Sequence, residues 1–233
     1  YEKEQRAEKK YCYLQNDSQS VLTLYFDCHF RLGNDKFYKS HSMHKKKIGL
    51  LGGSFNPAHE GHVRITLSAL KQFGLDEVWW LVSPGNPLKE QSPEPMPQRI
   101  HDASQLIAHP RVLVSNIEEK IGSHFTADTL AALTKLHPLH KFVWLMGADN
   151  LRQIDQWQNW HFIFQNFSIG VLARPGDQMA PLQSRAARVY RSYRLPMSQS
   201  HKLSHKTAPC WCYINLPMSD MSSTKLRSHF PEN

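Results

Sequence analysis

The sequence predicts an α/β protein built on a parallel β-sheet. Short apolar runs alternate along the chain with helical or loop segments, and that alternation is typical of parallel strands connected by helices. Glycine-containing and polar motifs directly follow several of these runs, at the strand ends where open parallel sheets bind ligands. The runs expected as strands are Lys47–Leu51, Val78–Val82, Val112–Val114, Phe142–Met146, Ser168–Leu172 and Trp211–Leu216.

The first strand leads into the most informative segment of the chain. Gly52 and Gly53 follow Lys47–Leu51 and allow a turn with free backbone amides, and a helical apolar pattern then runs over Gly61–Gln72. The N-terminus of such a helix attracts anions. His59 and His62 leave the turn on roughly one face, so both imidazoles can meet the same phosphate chain. This segment therefore predicts a nucleotide phosphate site.

The remaining segments are less regular. We predict a basic helix over Pro181–Arg194 and a surface loop over Leu195–Pro209, which is rich in Ser, His and Lys. Residues 1–45 are expected to be a separate N-terminal segment, disordered or upstream of a native start at Met43. Residues 46–233 are expected to form the single folded domain.

Composition limits the classes of partner. The chain has 233 residues, 40% of them hydrophobic, which suits one core with an appendage. A net charge of +8 and a pI near 9.3 favour an anionic partner, and nucleotides satisfy that requirement without nucleic acid. The four cysteines lack metal-site spacing, so we expect reduced thiols. No apolar run reaches the length of a membrane span, and a cytoplasmic protein is expected. The sequence does not predict an oligomeric state.

Two motifs resemble those of the nucleotidylyltransferase superfamily. Gly-Gly-Ser-Phe-Asn-Pro-Ala-His-Glu-Gly-His at 52–62 is similar to its first motif, and Met-Ser-Ser-Thr-Lys-Leu-Arg at 221–227 to its second. The resemblance implies a Rossmann-like doubly wound parallel sheet of nucleotidylyltransferase type. Intervening segments that contain Lys89, Thr126, Asp149, Trp157 and Arg174 resemble nicotinate-nucleotide adenylyltransferases, in one register from about residue 46 to 227.

That resemblance implies adenylyl transfer from ATP to nicotinate mononucleotide in NAD biosynthesis. His59, His62 and Arg227 are expected to be catalytic. Mg²⁺ is expected as the cofactor, held mainly by substrate phosphates rather than by a ligand cluster. The residues expected to bind ATP are Gly52, Gly53, Ser54, Phe55, His59, His62, Ser222, Ser223, Thr224 and Arg227. Those expected to bind nicotinate mononucleotide are Lys89, Thr126, Asp149, Trp157 and Arg174.

Two other classes of function remain open. One is a sister transferase that uses nicotinamide mononucleotide, phosphopantetheine or a small alcohol phosphate; Trp157 and Thr126 argue against it. The other is a nucleotide-binding regulator or nucleic-acid partner, against which the two histidines and Arg227 argue. The chain departs from the family pattern at Phe125, Asp155 and Met221, and only six residues follow Arg227.

Overall fold

The computed structural model describes residues 45–84, 93–174 and 180–216 of the chain. The chain divides into two units, Tyr1–Ser42 and Met43–Asn233, and every described residue belongs to the second. Lys89 and the second motif, with Ser222, Ser223, Thr224 and Arg227, lie outside the described residues.

A single parallel sheet organises the described residues. It contains seven strands there, in the order β3-β2-β1-β4-β5-β7-β6, and all of their pairings are parallel. Six of the seven lie where the apolar runs predicted them, and β6 is an additional short edge strand. The bounds are β1 Lys47–Gly53, β2 Glu77–Val82, β3 Val112–Ser115, β4 Lys141–Gly147, β5 Ser168–Ala173, β6 Arg194–Leu195 and β7 Cys210–Asn215.

Helices connect these strands. The α-helices of the described residues are α1 Glu60–Gln72, α2 Met96–Leu106, α3 Ile117–Lys120, α4 Thr126–Leu136, α5 Ala148–Gln153, α6 Trp160–Asn166 and α7 Arg185–Val189. Short 3₁₀ helices cover Ile154–Gln156, Ala180–Gln183, Arg191–Tyr193 and Met197–His205. This order of strands and helices confirms the predicted α/β fold.

The strand order places a topological switch point beside β1. From β1 the chain builds outward through β2 and β3, and it then returns to add β4 on the other side of β1. Leu50 of β1 accordingly pairs with Trp79 of β2 and with Trp144 of β4. Ligands of doubly wound sheets bind outside the carboxyl ends of the strands at such a point. The glycine turn follows β1 directly and therefore lies there.

The central strands are buried on both faces, which explains why they are nearly continuous apolar runs. Helix α1 covers one face with Ile65, Ala69 and Leu70. A buried hydrogen bond crosses this layer: the Trp80 indole N–H donates to Thr66 Oγ1 at 2.7 Å. The packing holds the start of α1 firmly against the end of β1.

The predicted basic helix over Pro181–Arg194 is wrong as one helix. Two 3₁₀ turns and α7 replace it, because specific contacts interrupt the helical hydrogen bonds. Ser184 caps α7 by accepting the Ala187 N–H at 3.3 Å. At the other end, the Tyr190 carbonyl accepts the Trp211 indole N–H at 2.7 Å, and Tyr190 is buried. The chain therefore turns toward the sheet instead of continuing outward.

The predicted surface loop over Leu195–Pro209 is also wrong for most of its length. Leu195 belongs to β6, and Met197–His205 is a 3₁₀ helix with a kink at Gln199. Leu203 is completely buried in the core beneath α1. The Ser204 hydroxyl lies 3.4 Å from the Gly74 carbonyl, at the end of the α1 segment. A few inward residues thus dock a segment whose composition is mostly polar.

The described residues contain no helix that is both long and apolar enough to cross a bilayer. Cys210 and Cys212 are buried free thiols on β7, and burial raises the pKa of both. For Cys212 the pKa rises to about 11, so this thiol stays protonated at neutral pH.

Candidate nucleotide site

The glycine turn leaves no space for side chains where it passes β4. A Cβ on Gly52 would lie 2.6 Å from Cη2 of Trp144, so only glycine fits without displacing the indole. Phe55 then takes a left-handed conformation, with φ of 46°, and its ring is buried against Trp80 at a centroid distance of 4.7 Å. The turn is therefore anchored from below and directs its backbone toward the carboxyl edge of the sheet.

His59 and His62 form one structural unit at the start of α1. His59 is the N-cap residue, and its Nδ1 accepts the Gly61 N–H at 3.0 Å. The His59 N–H in turn donates to Nδ1 of His62 at 3.2 Å. The two rings lie 4.0 Å apart between centroids, and Phe55 packs 4.7 Å from the His62 ring. The predicted common face is confirmed.

These hydrogen bonds define the tautomer of both imidazoles. Each Nδ1 accepts a backbone N–H and therefore carries no proton, which leaves the proton of the neutral ring on Nε2. Both rings can thus offer an Nε2–H group to an acceptor. Phosphate oxygens are acceptors, and the amides at the start of α1 favour an anion at the same place.

Both histidines are neutral at physiological pH. Burial, followed by the positive charge of Arg174, lowers the pKa of His59 to about 4. Burial, the neighbouring His59 and Arg174 lower the pKa of His62 to about 3. The positive charge of Arg174, which follows β5, acts on both rings. The site thus combines two neutral N–H donors with one fixed cation at the ends of β1 and β5.

Asp149 lies at the end of β4, the neighbour of β1 across the switch point. It is exposed near the first turn of α5, and its carboxylate folds back over Gly147, where an added Cβ would collide with Oδ1. The carboxylate is therefore accessible to a ligand above the sheet, and a ribose hydroxyl is a suitable partner for it.

Trp157 and Thr126 lie in two different segments at the carboxyl edge of the sheet. Trp157 is half-buried after the 3₁₀ turn Ile154–Gln156, and its ring meets Trp144 edge-on at 6.5 Å between centroids. Trp144 also covers Gly52, so it joins the tryptophan region to the glycine turn. Thr126 is the first residue of α4, whose initial amides have no partners within the helix.

A buried polar network holds the start of α4, and sequence reasoning missed it. The Ser123 hydroxyl donates to the Phe125 carbonyl at 3.0 Å and accepts from the Phe125 N–H at 3.3 Å. Thr129 Oγ1 lies 3.0 Å from the same Ser123 oxygen. Glu118, only 8% exposed, also bonds to Thr129, and its burial raises its pKa to about 7. These short polar residues showed no distinctive spacing in the sequence.

Arg99 is the second feature that sequence reasoning missed. It projects from α2, is 2% exposed, and donates to the backbone carbonyl of Ser54 in the glycine turn and to that of Ser83 after β2. One signal was present in the sequence: Arg99 shares a helical face with Met96, Ala103 and Ile107, which are all buried and apolar. A charged residue within such a stripe predicts a buried partner.

Comparison with known proteins identifies the family. A family model described as cytidylyltransferase-like matches residues 50–229. Over 180 residues the chain is 53% identical to a protein named probable nicotinate-nucleotide adenylyltransferase from Ruegeria sp. (strain TM1040). That match covers 77% of this chain and 95% of the relative. The chain belongs to the nicotinate-nucleotide adenylyltransferase family.

Two further members of the family match this chain over a similar number of residues. Relatives with the same name from Cereibacter sphaeroides (strain ATCC 17023) and Rhizobium meliloti (strain 1021) are 54% and 42% identical. Each match covers 78% of this chain, together with 96% and 97% of the relative respectively. The family resemblance inferred from the motifs is confirmed.

Solved structures agree on the fold. Plasmodium falciparum nicotinic acid mononucleotide adenylyltransferase complexed with NaAD superposes with a TM-score of 0.60 at 19% identity, covering 82% of this chain and 86% of that chain. The same enzyme complexed with APC superposes with a TM-score of 0.58 at 18% identity, covering 78% of this chain and 83% of that chain. At these identities the likeness shows that the nucleotidylyltransferase fold is shared.

Proposed function

We propose that the protein transfers the adenylyl group of ATP to nicotinate mononucleotide, giving nicotinate adenine dinucleotide and pyrophosphate. The observation that carries this proposal is the arrangement of His59 and His62. Two neutral imidazoles, both with the proton on Nε2, lie at the start of α1 directly after the glycine turn, where the positive charge of Arg174 acts on both. This arrangement suits a polyphosphate, and family membership specifies the reaction.

The reaction requires alignment and charge stabilisation rather than a catalytic base. A 5′-phosphate oxygen of nicotinate mononucleotide forms the new bond to the α-phosphorus of ATP. The bond from that phosphorus to the bridging oxygen breaks, and pyrophosphate leaves with the electron pair. A phosphate oxygen is already a nucleophile at neutral pH, so holding both anions in line is the main task of the protein.

We assign the stabilisation of the transferring phosphate to His62 and that of the neighbouring phosphate oxygens to His59. An N–H donor fixed before reaction lowers the barrier because it needs no reorganisation as negative charge develops. The backbone contacts described above supply that fixation. Arg174 adds a positive charge, and after burial it is a further cause of the lowered pKa of both imidazoles.

Nicotinate mononucleotide would occupy the edge formed by Thr126, Asp149 and Trp157. The half-buried Trp157 indole offers a face for the pyridine ring, and the start of α4 offers amides for its carboxylate. Backbone N–H groups that donate to the nicotinate carboxylate disfavour nicotinamide, because its NH₂ group would face these donors without an acceptor between them. We therefore expect a preference of about 100-fold or more over nicotinamide mononucleotide.

Mg²⁺ would enter as part of the ATP complex. The described residues contain no group of three or more His, Cys, Asp or Glu side chains that could hold a metal ion. The described donors of the phosphate site are imidazole and backbone N–H groups, which do not bind Mg²⁺. When bound, the ion would neutralise charge on the phosphates. We further propose that Ser222, Ser223, Thr224 and Arg227 contact the phosphates of ATP. Lys89 belongs to the nicotinate mononucleotide set, and we propose that it reaches the phosphates once both substrates are bound.

The test is release of pyrophosphate from ATP and Mg²⁺ with each mononucleotide in parallel. We expect release with nicotinate mononucleotide and very little with nicotinamide mononucleotide. His62→Ala should lower kcat by about 100-fold or more, because it removes one fixed donor to the transition state. No release with nicotinate mononucleotide would contradict the proposed reaction, and comparable turnover of both substrates would contradict the proposed pocket.

His101→Ala provides the matched control. His101 is an exposed histidine on α2, so the same substitution there should leave the rate within about twofold of the wild type. Equal losses in the two variants would show that the assay reports a general effect of histidine removal, and the role of His62 would be withdrawn.

A further inference from the structure

The Arg99 guanidinium joins three separate segments around the proposed site. Its Nη1 donates to the Ser54 carbonyl at 2.7 Å and to the Ser83 carbonyl at 2.9 Å. Its Nε donates to the Glu94 carbonyl at 2.7 Å. These oxygens belong to the glycine turn, to the residue after β2 and to the approach to α2. One planar group therefore fixes the relative positions of all three.

The contacts of Arg99 differ from those of an ordinary buried ion pair. Burial lowers its pKa, while the charges of Glu119 and Glu94 act in the opposite direction, and the group remains a cation. Desolvation of a guanidinium is costly even when its donors are satisfied. A methionine would fill similar space without that cost. It could not fix several carbonyls in one plane, so the special property of Arg99 is geometric.

The carbonyls it fixes belong to the turn that leads to the histidine pair. Ser54 stands between Gly53 and Phe55, whose left-handed backbone begins the path to the start of α1. A second bond reinforces the same junction, because the Ser83 N–H donates to the Gly53 carbonyl at 2.9 Å. The turn is thus held from β2 through two routes, and Arg99 supplies one of them.

We propose that Arg99 is a positioning residue for adenylyl transfer, which sets the glycine turn and through it the placement of the histidine pair against the phosphates. The inference rests on the proposed function. Arg99 is buried beneath the turn, so the inference assigns it no contact with substrate. Its contribution is the alignment of donors, which affects kcat more strongly than the binding of either substrate.

The test compares Arg99→Lys and Arg99→Met with Arg111→Lys. Arg111 is exposed before β3 and makes a single longer bond, 3.4 Å, to the Leu75 carbonyl, so its variant controls for loss of an arginine. For each protein we would measure Tm, and then kcat and both KM values well below that Tm. We expect both Arg99 variants to lose about tenfold or more in kcat while folded, with smaller changes in KM. Methylguanidinium should restore part of the activity of Arg99→Ala.

Imidazole NMR separates this inference from the proposed reaction. If Arg99 positions the turn, Arg99→Lys should shift the imidazole resonances of His59 and His62, whatever acceptor the enzyme uses. If the wild type releases no pyrophosphate while Arg99→Lys still shows these shifts, only the proposed reaction is contradicted. If Arg99→Lys keeps the wild-type kcat and imidazole spectrum, the positioning role is overturned, even where Arg99→Met fails to fold.

Discussion

The buried carboxyl of Glu118 provides a sharp test of the electrostatics of the fold. Burial raises its pKa from 4.5 to about 7, although the hydrogen bond from Thr129 opposes the shift. The folded state therefore holds this proton more tightly than the unfolded state does. Stability contributed by the proton is present below pH 4.5 and is lost as the pH rises through about 7.

The magnitude follows from the two pKa values. Between pH 5 and pH 8, the wild type should lose about 2.5 kcal/mol of unfolding free energy relative to Glu118→Gln. Glutamine keeps the shape and can still bond to Thr129, but it does not titrate. Other ionisable groups cancel in the comparison, since both proteins contain them. At pH 5 the two stabilities should be similar, and at pH 8 the variant should be the more stable.

Urea unfolding followed by tryptophan fluorescence at both pH values measures this difference. The slopes with denaturant should agree between the two proteins, so that midpoints report stability. If the difference in unfolding free energy between wild type and variant is the same at pH 5 and pH 8 within about 0.5 kcal/mol, the reasoning is refuted. The carboxyl would then be ionised at neutral pH, and its burial would need another charged partner.

Three other predictions follow from contacts at the site. Because His59 and His62 stay neutral in the fold, lowering the pH from 7 to 5 should cost about 2 kcal/mol of stability per ring. In urea unfolding, His62→Gln should therefore lose less stability between pH 7 and pH 5 than the wild type does. An equal loss in the two proteins would contradict the prediction. Gly52→Ala should destabilise the fold by about 1–3 kcal/mol through collision with Trp144, and Trp144→Phe in the same chain should recover part of the loss in thermal unfolding. Additive losses would contradict that collision. Trp157→Ala should raise KM for nicotinate mononucleotide about tenfold with little change for ATP, whereas Trp157→Phe should stay near the wild type in steady-state assays.

The sequence predicted the strands because the apolar pattern that specifies a buried parallel strand lies within the strand itself. A parallel strand buried on both faces must be apolar throughout, so the run before Gly52 and the run that contains Trp144 were visible without any partner. The glycine turn was equally visible, since its residues are adjacent. The order of strands and the position of the switch point depend on contacts between residues far apart along the chain. For these the family resemblance supplied only the doubly wound type of sheet, and the order itself comes from the structure.

What the sequence did not predict depends on single inward contacts. The 3₁₀ segment Met197–His205 is mostly polar, and its burial depends on Leu203 and two serines rather than on a periodic stripe. The break at Tyr190 depends on a hydrogen bond from Trp211, which is distant in sequence. The histidine tautomers depend on which backbone N–H each Nδ1 receives. None of these has a signature in residue order.

The switch point has a consequence for how a bound nucleotide acts on the sheet. β1 and β4 pair over Lys47–Leu51 and Lys141–Leu145, and this seam joins the half formed by β3, β2 and β1 to the half formed by the remaining strands. In the proposed site, His59 and His62 follow the first half, while Asp149 and Arg174 follow the second. A dinucleotide spanning them would close the seam from above. The bound dinucleotide would then act as a reversible cross-link between the halves, and opening along the seam would become rarer as its concentration rises above Kd.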